Sequence, residues 1–216
     1  MKIQYLGHAC FLLTTSDGTR IVTDPYEPGG GINYDRIGVS AEGVTVSHDH
    51  FDHACVKEVG GDPKVINYPT RDKIGSVKIR GVETAHDTSG GAERGANIAF
   101  IVEADGITVV HLGDLGHSPS VEQAEEIGPV DVLMMPVGGT YTIDAATAAA
   151  VAEVLGAKIT IPMHYRTAKL RLDIDPVSKF TKIEAGRVKE LGVSECEVTK
   201  DRLPATPEVW VLKPAR

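Results

Sequence analysis

Short apolar or alternating stretches recur along most of the chain, and their lengths predict many strands and a few helices. Lys2–Leu6 and Cys10–Thr15 flank Gly7-His8, and Asp17-Gly18 reads as a hairpin turn into Arg20–Thr23. This opening is an antiparallel meander that ends at Asp24-Pro25. A loop rich in glycine (Gly29, Gly30, Gly31) leads to a further strand at Val44–Ser47. That glycine run lacks the strand-to-helix setting of a phosphate loop and reads as flexible connection. Ala54–Val59 reads as a short helix, then Val65–Tyr68 and Val77–Thr84 as strands. Ala96–Glu103 and Ile107–Leu112 flank the turn Ala104-Asp105-Gly106 as a second hairpin. Ser120–Ile127 is predicted helical, Val130–Pro136 a buried strand, and Asp144–Leu155 an Ala-rich helix with Asp144 as its N-cap. Lys158–Pro162 is a strand, Lys179–Leu191 a final helix and Glu208–Leu212 a closing strand. Meander then helix, twice over, suits two sheets with helices outside them, and no linker or repeat divides the chain. One domain is expected over residues 1–216.

Candidate chemistry is concentrated just after the Val44–Ser47 strand. His48, His50, Asp52 and His53 are four possible metal ligands within six residues. His48 and His50 are two apart and share a side if the extended backbone persists. Asp52 and His53 follow where the chain turns, so they can face a second point nearby. One loop can therefore serve two adjacent ions, one site rich in nitrogen and the other mixed nitrogen and oxygen. With 8 His in 216 residues, chance would place this four-ligand pattern in about one chain per thousand.

Bulk properties narrow the classes. A chain of 216 residues with 42% hydrophobic and 24% charged content is ordinary for a soluble globular protein. A net charge of −8 argues against a nucleic-acid groove, yet not against a small anionic substrate, because bound metals dominate a local field. No apolar run approaches the ~18 residues of a membrane helix, and the N-terminal stretch reads as a strand, not a signal peptide. Cys10, Cys55 and Cys196 are scattered and form no C-x-x-C, so reduced thiols and a cytoplasmic location are expected. Cys55 is placed in the first turn of the helix beneath the histidine cluster.

The run His48-Asp49-His50-Phe51-Asp52-His53 resembles the H-x-H-x-D-H motif of the metallo-β-lactamase superfamily. The resemblance implies a four-layer αβ/βα sandwich with one or two metals at one edge of its paired sheets. It also requires further ligands at later strand ends, and these occur in order: His86 after Val77–Thr84, Asp114 after Ile107–Leu112, His164 after Lys158–Pro162. By this match His48, His50 and His86 hold one metal, Asp52, His53 and His164 the other, and Asp114 bridges them. His111 is the rival third ligand, but it lies inside a strand. Tyr5–Phe11, Pro136–Asp144 and Ile161–Tyr165 narrow the likeness to small metal-dependent hydrolases similar to the ascorbate-phosphate lactonase group. The likeness spans the chain to about Arg166 and is weak beyond it. It also favours His8 at the rim of the metal site as a substrate contact.

The implied chemistry is hydrolysis by a hydroxide activated between two divalent ions, zinc foremost, with manganese, iron or nickel as alternatives. Asp52 and Asp114 are the carboxylates assigned catalytic roles. Phosphodiesters, lactones, amides and thioesters are the bond classes open to such a centre, and a small molecule is the expected partner. Arg94 and Asn97, on a mobile-looking Gly-rich loop after His86, are candidate substrate contacts, and a guanidinium there suits phosphate or carboxylate. Tyr141 and Thr142 are expected to line the pocket, and His117 to face solvent. Asp24 is read equally as a partner for metal-bound imidazoles and as turn chemistry; Asp87 is read as turn chemistry. An iron redox protein on the same fold is the first alternative, though oxygen-reducing di-iron relatives are expected to carry Glu where His50 stands. A non-catalytic metal or ligand sensor is the second, though such members tend to lose ligands that this chain retains.

Overall fold

Side chains on the opening strands part onto two buried faces, which sets the layering of the molecule. The computed structural model describes residues 1–216. In β1 (Lys2–Gly7) and β2 (Cys10–Thr14), Ile3, Tyr5, Phe11 and Leu13 turn into the larger core. Leu6 and Cys10 point the other way, into a second core. With β3 (Arg20–Thr23) these strands form the expected meander. A short pair, β4 (Val39–Ser40) and β6 (Val59–Gly60), lies apart, and β5 (Gly43–Thr45) and β7 (Lys64–Ile66) join β3 in parallel.

A second sheet takes up β8 (Arg71–Ile74), β9 (Val77–Ala85), β10 (Ala96–Ala104), β11 (Ile107–His111), β12 (Val132–Pro136) and β13 (Ile159–Met163). β14 (Val188–Glu190) and β16 (Glu208–Val211) complete its eight strands, while β15 (Glu195–Glu197) pairs with β1 to make the first sheet six-stranded. The inner faces of the two sheets meet in a core of 44 buried residues, including Phe100, Val110, Leu133 and Ile161. Burial on that scale is the main stabilising term of the fold.

Helices α1 (Val121–Ile127), α2 (Ala145–Val154) and α3 (Ser178–Ile183) lie with the eight-stranded sheet; α1 meets β9, and α2 meets β12 and α3. Ser120 and Gln123 close a capping box on α1, and Asp144 caps α2 through the Thr147 amide, as the sequence predicts. The αβ/βα sandwich is therefore present. Its outer layer over the six-stranded sheet is largely irregular: Tyr26, Ile32, Tyr34 and Ile37, with Leu170 and Ile174, fill the second core there.

Two predicted helices are corrected. Ala54–Val59 holds only a 3-10 turn, Val56–Glu58, because the Cys55 amide is taken by Pro25 and Val59 enters β6. Cys55 itself is buried at the start of that turn. Lys179–Leu191 is helical only to Ile183; Gly186 then adopts φ 105°, and Val188–Glu190 pairs with β16. Short strands such as Arg71–Ile74 and Glu195–Glu197 also go beyond the sequence prediction.

Topology brings the candidate residues together. In the second sheet β9, β11, β12 and β13 all run the same way, so their C-terminal ends share one edge. In the first sheet β1, β3 and β5 also share a direction. His8, Asp24, the 47–53 loop, His86, Asp114 and His164 each follow one of these seven ends. The two edges are joined directly where the Ile98 amide donates to the Ser47 carbonyl at 3.0 Å.

Candidate metal centre

Asp24 ends β3 in the left-handed region, φ 39°, a conformation Asp tolerates better than most L-residues. Its fully buried carboxylate accepts three hydrogen bonds: from the Ser47 amide at 2.8 Å, Ser47 Oγ at 2.5 Å and His53 Nδ1 at 2.9 Å. Because Ser47 Oγ gives its proton to Asp24, it must accept from His48 Nδ1, 2.9 Å away. One carboxylate thus fixes the tautomer of two imidazoles, His53 directly and His48 through Ser47, and leaves both Nε2 lone pairs free. Of the two readings open for Asp24, the structure selects the imidazole partner.

Those nitrogens converge on Asp114. Its Oδ2 stands 3.3 Å from His53 Nε2, 3.2 Å from His86 Nε2, 3.2 Å from His164 Nε2 and 3.9 Å from His48 Nε2. His50 Nδ1 lies 3.0 Å from His48 Nε2, and His48, His50 and His86 form one group of convergent donors. A second group joins Asp52, His53 and His164 with His8, whose Nε2 is 3.0 Å from Asp52 Oδ2. His53 Nε2 and Asp114 Oδ1 are buried without a hydrogen-bond partner. Orphaned buried atoms of this kind, imidazole nitrogens beside carboxylate oxygens, are the donor set that divalent transition metals take. The residues fit a divalent metal centre.

Electrostatics support the same conclusion. Burial alone would raise the Asp24 carboxyl, but His111 and His53 outweigh it and hold it below the usual range. Burial opposes Asp114 likewise, and His164 and His53 overcome it, holding it well below that range. Burial and the neighbouring His53 push His48 down to about 3, so this imidazole is neutral and ready to ligate. Burial would lower His53, but Asp114 and Asp24 carry it well above its ordinary value.

The Asp114 turn is built as carefully. Asn97 Oδ1 accepts from the Asp114 amide at 2.9 Å, while its Nδ2 donates to Thr84 Oγ1 and the Leu112 carbonyl at 2.7 and 2.9 Å. Gly113 sits at φ 55°, and a Cβ there would fall 2.4 Å from Asn97 Oδ1 and 2.5 Å from Ser47 Cβ. Asn97 is thus a buried bracket and not the substrate contact expected from the sequence, since every polar atom of its amide is engaged. His111 is likewise spent: Nε2 donates to the Ala9 carbonyl at 2.8 Å and Nδ1 accepts from the Gly113 amide at 3.1 Å. His86 is the one of the two that converges with His48, His50 and Asp114.

A cavity of about 400 Å³ opens over the cluster, lined by His50, Asp52, His86, Asp114 and His164 together with Phe51, Arg94, Tyr141 and Leu172. A larger groove of about 700 Å³, beside residues 211–216, includes no histidine or aspartate. Arg94 lies with its guanidinium 6.0 Å from the Tyr141 ring and forms no ion pair within 4.0 Å. Its loop, mobile-looking in sequence, is organised by Asp87, which accepts from the amides of Ser89, Gly91, Glu93 and Arg94 at 2.7–2.9 Å. These bonds push the Asp87 carboxyl down to about 2. Thr142 stands off the cavity with its hydroxyl on the Ile143 carbonyl. His117 is half-buried, its Nε2 accepting from the Ala85 amide at 3.1 Å and its Nδ1 donating to the Ser118 carbonyl at 2.8 Å on the exposed side, so it faces solvent only in part. Ser47, Phe51 and Leu172 escaped the sequence reading; adjacency to the motif was the sole signal for the first two.

Fold and site together define a metal-dependent hydrolase of the metallo-β-lactamase type. Residues 2–164 match the family model described as the beta-lactamase superfamily domain. The chain is similar to a UPF0173 protein of Pyrococcus furiosus, 32% identical over 190 residues that cover 77% of this chain and 84% of the relative. A UPF0173 metal-dependent hydrolase of Methanoregula boonei is 31% identical, over 77% and 83% of the two chains. Among solved structures, a Thermotoga maritima protein assigned to the Zn-dependent hydrolases of the metallo-β-lactamase superfamily superposes with TM-score 0.80 and 41% identity, covering 98% and 97%. The chain belongs to the metallo-β-lactamase superfamily, within its UPF0173 group of metal-dependent hydrolases. No helix is long and apolar enough to cross a membrane.

Proposed function

We propose that the chain is one hydrolase domain that holds two divalent ions, zinc foremost, and cleaves a small anionic ester-type substrate. The observation that carries this reading is the convergence of four imidazole nitrogens on Asp114 Oδ2, at 3.2–3.9 Å. His48, His50 and His86 would hold one ion, Asp52, His53 and His164 the other, with Asp114 shared. A metal held there would supply water of lowered pKa, toward 7, and polarisation of a carbonyl or phosphoryl oxygen. The chain's own part is to hold the donors in place, through Asp24, Ser47 and Asn97, and to seat the substrate.

Substrate charge follows from the cavity lining. Two divalent ions and Arg94 outweigh the three buried carboxylates Asp24, Asp52 and Asp114, so the loaded cavity is net positive and favours an anion. Arg94, free of acidic partners, suits a phosphate or carboxylate group, and Phe51, Tyr141 and Leu172 offer apolar surface for the remainder. The three free cysteines support action in a reducing compartment such as the cytoplasm. The test is elemental analysis of the purified protein with a panel of phosphodiesters, lactones, thioesters and amides, each in charged and neutral forms. About two equivalents of metal and turnover biased to the charged forms are expected. Trace metal only, or ligand binding without turnover, would overturn the proposal.

A further inference from the structure

His8 is not on the cavity wall, and neither the superfamily motif nor the substrate reading accounts for what its side chain does. It is fully buried in the β1–β2 turn at φ 56°, where a non-glycine side chain is uncommon. Its backbone carbonyl accepts from Tyr5 Oη and from the His164 amide, both at 2.9 Å. Its ring lies 4.4 Å, centroid to centroid, from that of His164. Its Nε2 lies 3.0 Å from Asp52 Oδ2. Asp52 accepts no other side-chain or backbone hydrogen bond; the next nitrogen, His53 Nε2, is 3.7 Å away. An ionised carboxylate only accepts, so His8 Nε2 carries the proton in this pair. One residue of the first sheet thus grips two candidate ligands, Asp52 through its side chain and His164 through its backbone, and these belong to loops of opposite sheets.

We propose that His8 is the positioning residue of the Asp52–His53–His164 metal site: it fixes the Asp52 carboxylate and ties it to the end of β13. The inference rests on the two-ion reading above and assigns His8 to one of the two sites only. His48, His50 and His86 have no contact with it, so their ion should be indifferent to its loss.

Two substitutions separate positioning from bulk structure. Asn accepts the left-handed backbone and keeps the carbonyl bonds, but its amide is one bond too short to reach Asp52. Gln places an amide N–H at the reach of Nε2. Wild type, His8→Asn and His8→Gln are titrated with zinc against a chromophoric chelator, with Tm recorded for each metal-free protein. The expected result is one equivalent bound as in wild type by all three, and a second weakened ~10-fold or more in His8→Asn and largely restored in His8→Gln. A second equivalent of wild-type affinity in His8→Asn overturns the inference. So does equal weakening in both variants, which would make the imidazole itself a ligand. A drop in Tm with both equivalents weakened alike would make His8 merely structural and overturn it too. A wild type that binds a single equivalent overturns the two-ion reading, and this inference with it.

Discussion

His53 donates its Nδ1 proton to Asp24 at 2.9 Å and so turns its Nε2 lone pair toward Asp114, 3.3 Å away. The two aspartates act on opposite sides of one ring, the first setting its tautomer and the second sharing its target. Ser47 extends the same control to His48. Half of the four nitrogens around Asp114 are therefore aimed by a residue that is no member of the H-x-H-x-D-H motif.

Replacing Asp24 should accordingly weaken metal binding without removing a ligand. Asp24→Asn keeps the shape but loses the charge, and its amide cannot accept from Ser47 and His53 together without presenting a donor to one of them. Zinc affinity should fall ~10–100-fold, as it does when outer partners of ligating histidines are lost. Chelator competition reads this, and unchanged affinity would make Asp24 a turn residue only.

His86 and His111 should respond in opposite ways. His86→Ala removes a donor 3.2 Å from Asp114, so metal content should drop by about one equivalent and activity should fall with it. His111→Ala removes a buried ring that satisfies the Ala9 carbonyl and the Gly113 amide. Its cost should appear as roughly 3 kcal/mol of lost stability, with metal content retained at low temperature. Elemental analysis and denaturant unfolding of both variants decide between the two histidines.

Arg94 should govern binding of charge. Its guanidinium lines the cavity against Tyr141 with no acidic partner to neutralise it. Arg94→Ala should raise KM for anionic substrates by ~10–100-fold, the equivalent of a charge-assisted hydrogen bond, with kcat much less affected. Arg94→Lys should recover only part, because an ammonium lacks the planar fork. Equal KM changes for charged and neutral substrates would place Arg94 outside recognition.

How legible this site was depends on the distance over which each part is specified. His48, His50, Asp52 and His53 stand in six consecutive residues, so local spacing suffices. His86, Asp114 and His164 could be found because each follows an apolar run, where a strand gives way to a loop. Asn97 could not be read, since its role depends on cross-strand register: it pairs with Thr84 on β9 and reaches the Leu112–Asp114 turn after β11. The 184–191 stretch was misread for a related reason. Its helix-forming residues were outweighed by parallel pairing with β16, whose partner residues lie 21 positions further along the chain.

Asp87 offers a pH test of the Arg94 loop. Four backbone N–H groups hold its carboxyl down to about 2, against an ordinary value near 4. A folded pKa below the unfolded one gives a stabilisation present above pH ~4 and lost as pH falls toward 2. The carbon-13 shift of the Asp87 carboxyl should titrate near 2. Asp87→Asn at neutral pH should speed exchange of the Ser89, Gly91, Glu93 and Arg94 amides while the sheets stay protected. A titration near 4 would show that the loop does not depend on this carboxylate.

Asp114→Asn tests the centre itself. The carboxylate is buried, faces four imidazole nitrogens within 3.9 Å, and keeps one oxygen without any partner. Asn retains the volume and the backbone N–H hydrogen bond that residue 114 donates to Asn97 Oδ1, so the turn at Gly113 should persist and the fold should be unharmed. The side chain then brings an NH₂ donor that can cap the imidazole lone pairs a cation would otherwise take, and one of the charges that would neutralise two ions is gone. Both metal equivalents should weaken, because the oxygen lies close to members of both donor groups, unlike in His86→Ala, where one should. Turnover should also fall when metal is restored to saturation, by more than tenfold, if the carboxylate helps to orient the reacting groups as well as to hold the ions. The measurement is kcat at saturating zinc or manganese for any ester that wild type cleaves, with metal content determined on the same samples. Equal turnover at equal loading would reduce Asp114 to a ligand that others can replace, and the shared-carboxylate arrangement would fall.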